Sequence, residues 1–298
     1  MRITPLEYVT ADNLSQAVEL LDSAGPQAAV LAGGTDLVLN LKKKRACPCI
    51  LVSLQAIDGI DRICLENGMI RIGAMATHDR LARHPLLREK ADILCQAAGL
   101  IGSWQIRNAG TIGGNICNAS PAGDALPPLL ALDAAFVTAG TVGETVISAR
   151  NFFTGPGQTR LPSGHLLKEI RFPCPPANAA GCYMKLRRRK AVDISIAGVA
   201  FQAALNEEGT QVASAGIALG GVAPTPVRVP GAEDLITGRS PKEALENARA
   251  IGAACVAAAS PIDDLRASAD YKRTIVNVFA QRCARHVLTT LKEKGKPQ

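Results

Sequence analysis

The chain has 298 residues, 47% of them hydrophobic and 20% charged, which leaves room for two domains with cores of their own and is ordinary for a globular protein. Its formal net charge of +7 invites a nucleic-acid reading, yet aromatics are only 3% and do not interleave with the basic residues, so Lys42-Lys43-Lys44-Arg45 and Arg187-Arg188-Arg189-Lys190 read as solvated or docking faces. No apolar run approaches the roughly twenty residues of a bilayer span, the N-terminus shows no signal-peptide pattern, and the nine scattered cysteines form no C-x-x-C, so a cytoplasmic chain with reduced thiols is expected.

Asp12 or Asn13 can cap a helix through Leu14, Ala17, Val18, Leu20 and Leu21 that Gly25-Pro26 ends. Ala28 to Leu31 reads as a short strand running into Ala32-Gly33-Gly34-Thr35-Asp36-Leu37, a glycine pair and a hydroxyl ahead of a helix-like pattern at Leu37, Val38 and Leu41. A strand, a glycine-rich loop and a helix start suit a phosphate, because free N–H groups favour an anion. Neither the G-x-G-x-x-G nor the G-x-x-x-x-G-K-S/T pattern is present, so this segment is weak evidence alone.

Ile50 to Leu54 reads as a buried strand, and 62–66 with 69–72 as a hairpin about Asn67-Gly68. Thr77 can cap a short helix, and Pro85 to Gly99 carries a longer amphipathic one. Then comes the stretch from Ile106 to Pro121, with three glycines, three asparagines, a Thr and a Ser among small apolar residues. Glycine permits positive φ and close approach to the main chain. Successive N–H groups freed in this way would form an anion nest, to which Thr111 and Ser120 add hydroxyls. The same residues fit an ordinary glycine-rich turn, and the stretch alone leaves both open.

Pro127 to Leu132 reads as an apolar helix, and Ala135–Thr138, Thr145–Ile147 and Leu166–Phe172 as strands. Pro173, Pro175 and Pro176 mark the best domain boundary, dividing the chain into 1–176 and 177–292. Beyond it, Gly181–Leu186, Ile194–Leu205 and Gln211–Leu219 read as three strands, followed by helices at Ala232–Ile236, Pro241–Ala259 and Ala269–Lys292. That order predicts an α+β unit with helices on one face of an antiparallel sheet. His78, His84, His165 and His286 have no metal-ligand spacing and accompany no nucleophile motif, and Cys47, Cys49 and Cys117 read as buried or free thiols.

Two glycine-rich segments in one α+β domain are more specific than either alone. Together with Arg107-Asn108-Ala109-Gly110-Thr111-Ile112-Gly113-Gly114-Asn115, with Ser120-Pro121-Ala122-Gly123-Asp124 and with the later Lys185, Arg189 and Asp193, they carry a resemblance. Over essentially its whole length the chain resembles the FAD-binding (medium) subunit of the molybdenum hydroxylases, the xanthine, carbon monoxide and nicotinate dehydrogenase group.

The resemblance implies an α+β fold: a FAD-binding domain of the vanillyl-alcohol-oxidase (PCMH) type over 1–176, with subdomains at about 1–55 and 56–176. A C-terminal domain of the CO dehydrogenase flavoprotein type follows over 177–292, with a three-stranded antiparallel sheet and helices. Non-covalent FAD is implied at Val30, Leu31, Ala32, Gly33, Gly34, Thr35, Asp36 and Leu37, and at Thr111, Ile112, Gly113, Gly114 and Asn115. Ile101 and Leu167 fall on positions that pack against the cofactor, Asp124 on one that hydrogen-bonds a polar part of it, and Lys185 on a residue at the flavin.

The resemblance further implies that substrate is oxidised at a molybdenum–pterin centre in a large partner subunit. Electrons then cross two-iron two-sulfur clusters in a small one, reach FAD here and leave to NAD⁺ or another acceptor. No catalytic residue and no metal site is implied in this chain, whose cysteines lack iron–sulfur spacing. The uninterrupted run from Thr138 to Ile147 also lacks the cysteine-rich insertion of benzoyl-CoA-reductase-type relatives. In physical terms, backbone N–H groups from two loops can meet a diphosphate without buried lysines. Lys185 reads either as an electrostatic partner of the flavin or as a surface cation at a strand edge. Two other functions compete: a free-standing flavoprotein oxidoreductase of the same superfold, and a flavin-binding assembly protein without turnover.

Overall fold

The computed structural model describes residues 3–190 and 192–295. Three short parallel strands form the first layer: β1 (Glu7–Thr10), β2 (Ala28–Leu31) and β3 (Ile50–Ser53), in the order β1-β3-β2. Parallel neighbours need crossovers, supplied here by α1 (Leu14–Ala24) and by α2 (Leu37–Lys42), which opens at the first glycine-rich loop. Asn13 caps α1 by accepting from Gln16 N at 2.9 Å. Ala17, Val18 and Leu21 then pack on Val52 and Leu54.

Next in the chain, β4 (Ile63–Glu66) and β5 (Met69–Gly73) form the hairpin read from Asn67-Gly68. Both turn residues have positive φ, 50° and 73°, as a type I′ turn requires. A run of helices follows: α3 (His78–Arg83), α4 (Pro85–Lys90), α5 (Asp92–Gly99), α6 (Trp104–Ala109), α7 (Ile112–Asn118) and α8 (Leu126–Ala131). Then come β6 (Ala135–Gly140), β7 (Gly143–Ser148), the short α9 (Ala149–Phe152), a two-stranded ribbon of β8 (Phe153–Gly155) and β9 (Gln158–Thr159), and β10 (Leu166–Pro173). β10 runs between β5 and β6, closing an antiparallel sheet of order β4-β5-β10-β6-β7. Ile70, Ile72, Phe136, Ile170 and Phe172 of this sheet share one core with Ile93, Ile112, Ile116, Leu126 and Leu129 of the helices.

The last part is an antiparallel sheet of β11 (Ala179–Leu186), β12 (Ala197–Leu205), β13 (Val212–Gly220) and β14 (Val227–Arg228), followed by α10 (Pro230–Glu233), α11 (Pro241–Glu246), α12 (Ala248–Ala258) and α13 (Ala269–Lys294). Cys182, Val199, Phe201, Ile217 and Leu219 pack on Val276, Ala280, Cys283 and Val287 of α13. Their strand neighbours Tyr183, Ala200 and Ala218 point the other way, into the core built by α5 and α8.

Several expectations are corrected. The helix read over Pro85–Gly99 breaks at Ala91 (φ −141°, ψ 46°), which lets α5 turn Ile93, Leu94, Cys95, Ala97 and Ala98 all into buried space between α3 and the sheet of β11 and β12. The helix read over Pro241–Ala259 breaks at Asn247, whose side chain donates to Leu235 O at 2.8 Å. The stretch 106–121, read as a glycine-rich nest or turn, is largely two short helices, α6 and α7, separated by Gly110. The strand read from Ile194 begins at Ala197, and the helix read over Ala232–Ile236 lies at Pro230–Glu233. The C-terminal sheet carries a fourth, two-residue strand beside the three expected. Strand β1, the parallel order of the first sheet and the β8–β9 ribbon were not anticipated. No helix among the described residues is long and apolar enough to cross a membrane.

Candidate functional site

An open cleft of about 340 Å³ lies between the first layer and the helices α6 and α7. Val30, Ala32, Gly33, Gly34, Thr35, Asp36 and Leu37 line one side, and Ile101, Thr111, Gly113, Gly114, Asn115 and Leu167 the other. The two glycine-rich segments thus face one another across it. They are also locked together: a Cβ on Gly33 would lie 1.9 Å from Ala109 O, and one on Gly113 2.7 Å from Ala74 Cβ. These two glycines are required by packing, whereas Gly34 has φ 70°, the left-handed region.

The segments play different roles. The backbone N–H groups of Gly33, Gly34, Thr35, Asp36 and Leu37 have no hydrogen-bond partner among the described residues, and all five residues line the open cleft. In the second segment most donors are spent. Ile112 N donates to Ala76 O at 2.9 Å, Gly113 N to Ala74 O at 2.8 Å, and Asn115 N to Thr111 O at 3.0 Å. Gly114 N donates to Thr111 Oγ1 at 3.1 Å, which makes Thr111 the N-cap of α7. Of the nest expected at 110–115, only Thr111 N is left without a partner among the described residues, and most of the free N–H groups belong to 33–37. The second segment contributes surface, plus the Asn115 side chain, whose Oδ1 is buried with no partner.

Among the described residues no lysine or arginine lines the cleft, and Asp36 is the one carboxylate that does. His78, which the sequence reading passed over, also lines it, 3% exposed, with Nδ1 buried and unpartnered. Burial and then the charge of Arg107 push its pKa down to about 4, so the imidazole is neutral at ordinary pH. The signal available in the sequence was its place directly after the cap residue Thr77, which bridges to Thr111. Asn40, Met75, Ile106, Cys117, Asn118 and Leu161 are among the further lining residues that were not anticipated as contacts. Burial holds the Cys117 thiol up at about 12, so it stays protonated.

Four expected contacts do not line the cleft. Leu31 and Ile112 lie behind it, Ile112 fully buried in the core. Asp124 and Lys185 bond one another: Lys185 Nζ sits 2.7 Å from Asp124 Oδ2 and donates to Leu100 O at 3.1 Å, one residue from Ile101 in the cleft wall. Their side chains are 7% and 1% exposed. Tyr183 Oη donates to Asp124 Oδ1 at 2.9 Å. Burial raises the Asp124 pKa, opposed by Lys185, Tyr183 and Arg187. Lys185 is therefore no surface cation. It joins β11 to α5 in a buried pair.

A wall of neutral backbone donors opposite a glycine-lined helix, with an orphaned side-chain amide oxygen, fits an elongated cofactor bearing a diphosphate. Comparison with known proteins agrees. Residues 4–175 match the family model described as the FAD binding domain in molybdopterin dehydrogenase, and 181–287 match the CO dehydrogenase flavoprotein C-terminal domain. This is a FAD-binding unit followed by a flavoprotein C-terminal unit.

The carbon monoxide dehydrogenase medium chain of Hydrogenophaga pseudoflava is 34% identical over 277 residues, 93% of this chain and 94% of that one. The xanthine dehydrogenase FAD-binding subunit of Escherichia coli is 31% identical, over 92% of this chain and 93% of that one. A solved carbon monoxide dehydrogenase from Hydrogenophaga pseudoflava, lacking the Mo-pyranopterin moiety of its cofactor, superposes with a TM-score of 0.91 at 33% identity, covering 97% of this chain and 99% of that one. The chain belongs to the FAD-binding medium subunits of the molybdenum hydroxylase family.

Proposed function

We propose that the chain is the electron-relay subunit of a heteromeric molybdenum hydroxylase in the cytoplasm, holding FAD non-covalently in the cleft between its two glycine-rich segments. The observation that carries this reading is the row of five unpaired N–H groups from Gly33 to Leu37, on residues that all line the cleft. A diphosphate brings about two negative charges, and charge-assisted bonds to such donors contribute roughly 1.5–3 kcal/mol each. Ile101 and Leu167 supply apolar surface, and Asn115 Oδ1 accepts a hydrogen bond. Asp124 and Lys185 act from behind Ile101, as does Leu31 behind the loop. His78 stays uncharged beside the donors, so the row of N–H groups meets the anion without a competing cation.

When bound, FAD supplies the capacity to take electrons from one partner and pass them to another. In this reading the electrons come from two-iron two-sulfur clusters in a small subunit, fed by a molybdenum–pterin centre in a large one. They leave to NAD⁺ or another acceptor. The organic substrate then belongs to the large subunit. The proposed division is a PCMH-type domain over 1–176, with subdomains at about 1–55 and 56–176, and a C-terminal domain over 177–292.

Titrating the flavin-free chain with FAD tests the site, and acid precipitation tests the linkage: flavin released into the supernatant is the expected result. Co-purification with its partner subunits, followed by a molybdenum, iron and flavin count and an acceptor assay, tests the relay. Reduction of the isolated chain's flavin directly by organic substrates would instead make it a free-standing flavoprotein oxidoreductase.

A further inference from the structure

Strand β11 alternates between two environments. Met184 packs toward the helices of the C-terminal part, while Tyr183 and Lys185 face α5 and the loop before α8. Four hydrogen bonds converge there. Tyr183 N donates to Gln96 Oε1 at 2.8 Å, and Tyr183 Oη to Asp124 Oδ1 at 2.9 Å. Lys185 Nζ donates to Asp124 Oδ2 at 2.7 Å and to Leu100 O at 3.1 Å. Each carboxylate oxygen thus has its own donor, in a place where the Asp124 side chain is only 7% exposed. Space for the phenol is made by Gly198 on the paired strand, where a Cβ would lie 2.8 Å from Tyr183 Oη.

We propose that Tyr183 is a positioning residue that keeps Asp124 ionised, so that Lys185 and Asp124 present a pair of zero net charge, rather than a lysine cation, to the flavin beyond Ile101. The inference rests on reading the cleft as the FAD site.

The argument is electrostatic. A carboxylate taken out of water is retained only when its oxygens are bonded and its charge is met. Lys185 meets the charge and one oxygen, and Tyr183 serves the other. The remaining groups turned toward this carboxylate are the more distant Arg187 and, beside the phenol, the buried and unpartnered Ser195 hydroxyl. Burial also raises the Tyr183 pKa well above its ordinary value, so the phenol remains a donor at any working pH. Without that donor the Asp124 pKa moves further up, Lys185 remaining its partner, and as pH falls the pair takes up a proton and a net positive charge sooner. A net positive charge behind the cleft wall, where Lys185 Nζ bonds the carbonyl next to Ile101, favours a reduced, more negative flavin in the cleft.

The experiment compares wild type, Tyr183→Phe, Asp124→Asn and the double variant, each loaded with FAD, reading FAD affinity and flavin midpoint potential across pH. Tyr183→Phe is expected to move the potential positive, raising the reduced-to-oxidised ratio at fixed potential about tenfold, by more at low pH than at high. Asp124→Asn moves it positive without that pH dependence. The double variant matches Asp124→Asn alone, because Tyr183 acts through the carboxylate. Gly198→Ala displaces the phenol from the other side and carries the same expectation if Tyr183→Phe fails to fold. An unchanged potential in Tyr183→Phe, or an equal shift in the Asp124→Asn background, overturns the inference while leaving the flavin site intact. Wild-type chain that binds no FAD overturns the flavin reading and the inference with it.

Discussion

Gly114 lines the cleft in the first turn of α7, and a Cβ built on it meets only Thr111 Oγ1, at 3.0 Å. In Gly114→Val the branched side chain has nowhere to go but the cleft, while valine and glycine differ little in helix cost. The expected outcome is a purified protein without flavin absorbance and with a thermal unfolding midpoint within a few degrees of flavin-free wild type. His78 makes a different prediction. Its folded pKa of about 4 lies below the ordinary 6.5, so the unfolded chain binds the proton more readily between those values. Stability therefore rises with pH through that window, is complete above it and is lost as pH falls. Denaturant unfolding should give about 2 kcal/mol less at pH 5 than at pH 7 from this residue, a slope that His78→Gln removes.

At the level of elements, the first glycine-rich loop and the end of α6 behave as one piece. Gly33→Ala drives a methyl into Ala109 O, and neither backbone can yield alone, so it is expected to destabilise by about 1–3 kcal/mol or more. Flavin-free melting should register this, in contrast to Gly114→Val. The contrast also says what the sequence could convey. Both glycine pairs, the Asn67-Gly68 hairpin and the three long strands of the last sheet are legible because they rest on local chemistry: φ preference, turn type and alternation. Which glycines serve packing and which face a ligand depends on what lies opposite. The pairing of Gly33 with Ala109 is set only when distant segments meet. Strand β1, Glu7-Tyr8-Val9-Thr10, is short and mostly exposed, and only its register with Ile50 to Ser53 makes it a strand. The breaks at Ala91 and Asn247 leave no trace in apolar spacing, since one follows from burial on two sides and the other from a single side-chain bond.

Across the whole molecule, Arg228 joins parts that the prolines at 173–176 separate in sequence. Its guanidinium, 7% exposed, bonds Glu233 and the carbonyl of Leu130 at the end of α8, and donates to Ala215 O at 2.9 Å. Arg228→Met leaves the largely buried Glu233 without its cation, and breaking such a pair from one side costs up to about 3–5 kcal/mol. For a chain of this size that lowers the melting midpoint by about 10 °C, measurable by calorimetry of the flavin-free protein. The β11–β14 sheet enlarges the point. Tyr183, Ala200 and Ala218 belong to one core, and their neighbours Cys182, Val199, Phe201, Ile217 and Leu219 to another. Adjacent letters of the same strand are thus read by different packing partners, one local and one far upstream. A gene segment encoding the C-terminal part cannot be traded between relatives as a self-contained cassette. It inherits half of its fit from α5 and α8, and a graft that leaves those helices behind carries a wall with no room on its far side.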